Sequence, residues 1–154
     1  MGASWSAILW SGFVATVLSA CVFWLFRSFE WTRFSPTTQL GCLFYRDPNV
    51  PVTETVGFLL FFALNVVVVA AVYAGLMRAL GGPGWGTGTL LGLVNGGLVV
   101  AALPLLERVS KAVKEGRMPP PGRFGLAWGK ATPWAILAGH GVYGAVLGGV
   151  LKAF

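Results

Sequence analysis

Four long apolar stretches, separated by shorter polar connections, take up most of the 154-residue chain. Each stretch is close to the roughly 20 residues that an α-helix needs to cross the hydrocarbon layer of a bilayer. The second connection is only Gly81-Gly82-Pro83-Gly84, so the helices on either side of it must run antiparallel. We therefore predict an all-α fold: an integral membrane four-helix bundle of two antiparallel hairpins, in a single transmembrane domain over residues 1–154. The predicted spans are residues 6–26, 56–80, 86–106 and 132–151.

Glycine recurs at every fourth position along the third stretch, which places one glycine on the same helix face at each turn. Such a face lets a neighbouring backbone approach closely, which is how helices associate where water cannot drive them together. The fourth stretch repeats the spacing. The predicted helix-packing residues are Gly84, Gly88, Gly92, Gly96, Gly144 and Gly148.

The composition excludes an ordinary soluble domain. Hydrophobic residues make up 56% of the chain and charged residues only 10%, whereas soluble domains contain about 25% charged residues. Nine of the eleven Lys and Arg residues lie in the connections 27–55 and 107–131. Because basic loops stay on the cytoplasmic side, we predict that both connections are cytoplasmic and both termini outside, in a bacterial inner membrane.

The positive charge also bears on partners. The basic segment 107–130 is expected to contact anionic lipid headgroups. It lacks the basic stripe with interleaved aromatic residues that phosphate-backbone binding requires, so no nucleic-acid partner is predicted.

Local signals predict further structure in the first connection. Ser35 as a helix cap and Pro36 at the first helical position predict a short interfacial helix over residues 36–45. Tryptophan prefers the membrane–water interface, so Trp128 is expected there on the cytoplasmic side.

The third connection is predicted to begin as a helix. Glu107 and Lys111 are spaced to pair at i,i+4, so the third span should continue past the membrane as a basic helix. The proline run at 119–121 would end it.

A few uncharged polar residues fall near the bilayer centre, where such groups rarely face lipid. The candidate ligand-binding residues are His140, Tyr143, Asn95, Asn65 and Thr16. One interpretation is that these groups hydrogen-bond across helices and specify their packing. The other is that His140 ligates the metal of a tetrapyrrole, or lines a small cavity with Asn95 and Tyr143. The cofactor is therefore left open: none, a tetrapyrrole or a lipid.

The sequence offers little for catalysis. The acidic residues are Glu30, Asp47, Glu54, Glu107 and Glu115, all in connections or at span ends. No acidic residue lies inside a predicted span, where proton relays usually carry one. The chain has no C-x-x-C motif, and we predict no metal site beyond His140 as a tetrapyrrole ligand. We therefore predict that the protein is not an enzyme.

The segment from His140 to Gly148, His-Gly-Val-Tyr-Gly-Ala-Val-Leu-Gly, resembles the closing helix of small four-helix bacterial membrane proteins of unknown function. The resemblance covers the last third of the chain, with a fainter echo at residues 11–16. It implies a four-span fold and no established activity, and it transfers no catalytic residue.

Together these features predict an accessory or assembly subunit of a larger membrane complex, partnered by other integral membrane subunits. A membrane subunit that binds a pigment, haem, quinone or lipid against His140 is the alternative. A small channel or carrier is the second alternative.

Overall fold

The computed structural model describes residues 4–154, and all regular secondary structure in that range is helical. Four helices are long and apolar enough to cross a membrane, and we number them first to fourth along the chain. They are Trp5–Ser28, Pro51–Ala79, Trp85–Val109 and Thr132–Lys152. The chain therefore has the helices of a membrane protein, as the hydropathy pattern predicts.

The second helix begins earlier than predicted, at Pro51 instead of Val56. Proline fits the first turn of a helix because its missing N–H would have no partner there. As a result, Glu54 lies in the first turn of the second helix, where a carboxylate is favoured by the helix dipole.

The prediction that the third helix continues unbroken as a basic helix to the proline run is wrong. The helix tightens into a 3-10 turn at Leu103–Leu105, around Pro104, because proline cannot donate the hydrogen bond that an α-helix requires. It ends at Val109, since Ser110 is extended and its hydroxyl caps the separate short helix Lys111–Lys114. A serine that caps a new helix in this way competes with continuation of the old one.

The first connection contains the short helix Pro36–Gly41, which starts at the predicted residue and ends four residues before the predicted end. Ser35 caps it by accepting from the Thr38 amide. The short helix lies close to Gly57 of the second long helix, where a Cβ would lie 2.7 Å from the carbonyl carbon of Thr37. The short helix is therefore packed backbone against backbone on the first turns of the second helix.

By its contacts the chain divides into two compact units, and each long helix contributes residues to both. The glycine unit comprises Phe62–Gly97, Leu137–Phe154 and the first helix up to Val22. The loop unit comprises Phe23–Phe61 and Leu98–Ile136.

The core of the glycine unit combines four alanines, larger aliphatic residues and two tyrosines from the first, second and fourth long helices. Its buried members are Ala7, Ile8, Ala15, Ala70, Tyr73, Ala74, Met77, Tyr143, Val146, Leu147 and Leu151. Small side chains here allow the close helix approach described below.

In the loop unit, the first and third connections pack directly on each other. The Arg33 amide donates to the Trp128 carbonyl at 2.7 Å. The Thr32 hydroxyl lies 2.7 Å from that of Thr132, where the third connection meets the fourth helix. Lys111 donates its backbone N–H to the Cys42 carbonyl. The two basic connections therefore form one folded layer.

Trp128 lies in the core of the loop unit and does not sit at a wetted interface as predicted. It is 3% exposed, stacks on Phe34 and donates its indole N–H to the Pro119 carbonyl at 2.9 Å. A buried indole needs such an acceptor, and the proline run brings it within reach.

Candidate functional site

The predicted packing glycines of the third and fourth helices lie against each other in an antiparallel register. A Cβ on Gly88 would lie 2.7 Å from the carbonyl carbon of Gly144, and one on Gly92 would lie 2.9 Å from that of His140. One turn further, Gly148 lies similarly close to the backbone of Gly84. Gly96 is also buried, one turn beyond Gly92. Real Cβ atoms essentially never approach other atoms closer than 3.0 Å, so only glycine fits at Gly88, Gly92, Gly144 and Gly148. A Cβ on Gly84 would meet only the Thr87 hydroxyl, at 3.6 Å.

The second helix contains a π-helical segment, Leu64–Val69, that the sequence pattern did not predict. The carbonyl of Asn65 accepts the Ala70 amide five residues later, as π geometry requires. Gly12 of the first helix packs against this segment, since a Cβ there would meet Ala70 and the backbone of Val66. Single π turns occur frequently at functional sites.

Two tyrosines meet beside this segment. The rings of Tyr73 and Tyr143 pack edge to face with centroids 5.6 Å apart, and both residues are almost fully buried. The Tyr143 hydroxyl donates to the Asn65 carbonyl at 2.6 Å, and the Tyr73 hydroxyl donates to the Leu91 carbonyl at 3.2 Å. The hydroxyls thus join the fourth helix to the second and the second to the third.

The structure brings together some of the predicted site residues and not others. Tyr143 and Asn65 are in contact, and the Asn95 side chain interacts with the Tyr73 hydroxyl. Thr16 is fully buried, but its hydroxyl donates to the Gly12 carbonyl of its own helix at 2.6 Å. Within the described part of the chain it forms no bond to another helix. His140 is half-buried, and its backbone carbonyl forms part of the Gly92 contact.

The first helix contributes a row of small residues that the sequence analysis missed. Ala7, Ser11, Ala15 and Ser19 recur every fourth position and are all buried. The Ser19 hydroxyl donates to the Gly139 carbonyl of the fourth helix at 2.9 Å. The spacing is visible in the sequence, but alanine and serine at this period are a weaker signal of close helix packing than glycine.

Cys42 is a fully buried free thiol in the loop unit. Burial raises the pKa of this thiol to about 11, and the nearby carboxylates of Glu54 and Asp47 act in the same direction. Because the thiolate is the reactive form, Cys42 is poorly suited to nucleophilic chemistry.

Within residues 4–154, no group of three or more His, Cys, Asp or Glu side chains could hold a metal ion. Comparison with protein-family models, with curated proteins and with solved structures finds no match to this chain. The resemblance of the last helix to other small membrane proteins therefore stays a prediction. In the glycine unit, glycines of the third and fourth helices bring two backbones together, and tyrosine hydroxyls bond to carbonyls of neighbouring helices.

Proposed function

We propose that this protein is an accessory or assembly subunit of a larger membrane complex, in which it acts as a packed helical scaffold. In this proposal the four long helices form a bundle of two antiparallel hairpins in a bacterial inner membrane. The two basic connections face the cytoplasm, because nine of the eleven basic residues of the chain lie in them.

The observation that carries the proposal is that buried hydroxyl groups in the glycine unit form hydrogen bonds between helices. The hydroxyls of Tyr143, Tyr73 and Ser19 each donate to a backbone carbonyl of another helix. Hydrogen bonds of this kind contribute about 0.6–2 kcal/mol each in membranes. These three hydroxyl groups are therefore engaged in holding helices together.

A second observation supports a protein partner. A Cβ added at Gly86 or Gly97 of the third helix would meet no atom within 4 Å. Gly86 and Gly97 are eleven residues apart, about three turns, and so share one outward face. Glycine offers lipid no better contact than a larger residue, whereas it lets the helix of another subunit approach closely.

The test is purification of the full chain in mild detergent, followed by identification of the co-purifying polypeptides. We expect one or more integral membrane proteins at fixed stoichiometry. Gly97→Leu should reduce their yield without loss of folded protein, because the added side chain points into open space. Gly75→Leu makes the same change on the second helix and serves as the matched control.

Two results would contradict the proposal. One is a wild-type preparation that contains only this chain and lipid under several mild detergents. The other is a Soret or near-infrared absorption band that is lost in His140→Ala, which would establish ligand binding at His140 instead.

A further inference from the structure

The loop unit contains an open cavity of about 460 Å³. Its volume lies within the roughly 300–1,000 Å³ typical of small-molecule sites. The polar residues that line it come from both connections and from two helix ends. They include Arg27, Arg33, Arg117, Glu54 and Gln39, and Trp128 forms part of the wall.

Three guanidinium groups and one carboxylate give the cavity a net positive lining. Arg117 is paired with Asp47 at 3.4 Å. In the part of the chain that the structure describes, Arg27 and Arg33 form no ion pair. Arginine presents a planar set of donors that matches phosphate and carboxylate oxygens, so two unpaired arginines at one cavity favour an anion.

Gln39 provides a second, independent indication of a ligand. It is 7% exposed, and among residues 4–154 its Oε1 atom has no hydrogen-bond partner. Its Nε2 atom donates only to the Met118 sulfur, at 3.5 Å. A buried acceptor without a partner costs about 1–3 kcal/mol. Gln39 lines the cavity, and that cost is removed when its side chain turns this oxygen toward a hydroxyl donor there.

Glu54 points to the same ligand chemistry. The Thr38 hydroxyl donates to Oε2 of Glu54 at 2.7 Å, and the Thr37 hydroxyl donates to Oε1. These bonds hold a carboxylate at the wall of a cavity that is otherwise positive. A carboxylate repels a bare phosphate ion but accepts hydrogen bonds from hydroxyl groups, so it favours an anion that also carries hydroxyls.

The position of the cavity along the helices indicates where such a ligand would come from. Arg27 lies in the last turn of the first long helix, and Glu54 lies in the first turn of the second. In a membrane these helix ends lie at the level of the lipid headgroups.

We propose that the cavity of the loop unit binds a phosphate ester whose head carries free hydroxyl groups, as in the phosphoglycerol headgroup of an anionic lipid. Arg27 and Arg33 bind the phosphate, and Gln39 and Glu54 accept from the hydroxyls. All residues that line the cavity belong to the loop unit, so the site can be tested independently of the scaffold role.

The experiment measures binding of the full chain in detergent to phosphatidylglycerol, phosphatidic acid and phosphatidylcholine by native mass spectrometry. The double variant Arg27→Gln/Arg33→Gln should weaken phosphatidylglycerol binding by about tenfold or more, as expected for loss of charge-assisted hydrogen bonds. The same double change at Arg123 and Lys130, two basic residues of the third connection that do not line the cavity, is the control and should change it less than about twofold. Gln39→Leu should remove the preference for phosphatidylglycerol over phosphatidic acid.

Free glycerol 3-phosphate, tested with the same variants, separates the two sources of this chemistry. Competition by the free ester at concentrations comparable to the lipid would assign the site to a soluble ligand of the same class. Equal weakening by the cavity and control variants would overturn the proposal, because the attraction would then be general charge. Equal binding of phosphatidylcholine and phosphatidylglycerol by the wild type would overturn it as well. If the double variant fails to fold, Arg33→Lys keeps the charge but loses the planar donor set, and unchanged affinity there counts against the site.

Discussion

The contact between the third and fourth helices at Gly92 makes a sharp test of the packing. In Gly92→Ala, the new methyl would lie 2.9 Å from the carbonyl carbon of His140 and 3.1 Å from the Cα atom of Gly141. Ordinary van der Waals contact begins at 3.4 Å. Both neighbours are backbone atoms of a long helix, so neither can rotate away. The two helices must move apart at this level.

The expected magnitude follows from a comparison with Gly97→Ala. Both glycines lie in the same helix, so each variant receives the same helix-propensity gain of up to about 1 kcal/mol. A Cβ on Gly97 meets no atom within 4 Å. The difference between the variants therefore isolates the steric term, which for overpacking is about 1–3 kcal/mol. Gly92→Ala should be less stable than Gly97→Ala by that amount.

The assay is reversible unfolding in mixed micelles with increasing dodecyl sulfate, followed by tryptophan fluorescence. Gly92→Leu should extend the trend and reduce the yield of folded protein more than Leu91→Ala does. If the stabilities of Gly92→Ala and Gly97→Ala agree within about 0.5 kcal/mol, which is the usual limit of additivity, the close-contact argument is refuted.

Two further predictions use the same preparations. Tyr143→Phe should destabilise the protein by about 1–2 kcal/mol in the micelle assay, because the Asn65 carbonyl of the π segment loses a short hydrogen bond. Tyr73→Phe should destabilise it less, because the hydrogen bond of Tyr73 is longer. The reverse order would exclude a stabilising role for the Tyr143 hydroxyl. A water-soluble maleimide should label Cys42 slowly at pH 8 and faster at higher pH, because only the thiolate reacts and burial raises the pKa of this thiol to about 11. Gly57→Ala should speed this labelling by loosening the short helix, whereas Gly75→Ala, at an open position of the same helix, should leave it unchanged.

The sequence alone was enough for the features that depend on neighbouring residues. A helix that crosses a bilayer must be apolar over about 20 residues, so the four long helices could be located from hydropathy. The Ser35 cap and Pro36 start are also local, and the short helix begins where they place it. The glycine spacing marked Gly88 and Gly92 as positions on one helix face, because helical periodicity is a property of the chain itself.

Only the tertiary structure decided which distant residues meet. The π segment at Leu64–Val69 has no local signal in the sequence; in the structure it accommodates Gly12 and accepts the Tyr143 hydroxyl. The burial of Trp128 depends on the Pro119 carbonyl and on the packing of two connections that are far apart in sequence. The convergence of arginines on one cavity depends on the same packing. Such contacts form between residues many positions apart, and no periodicity or local preference in a single chain encodes them.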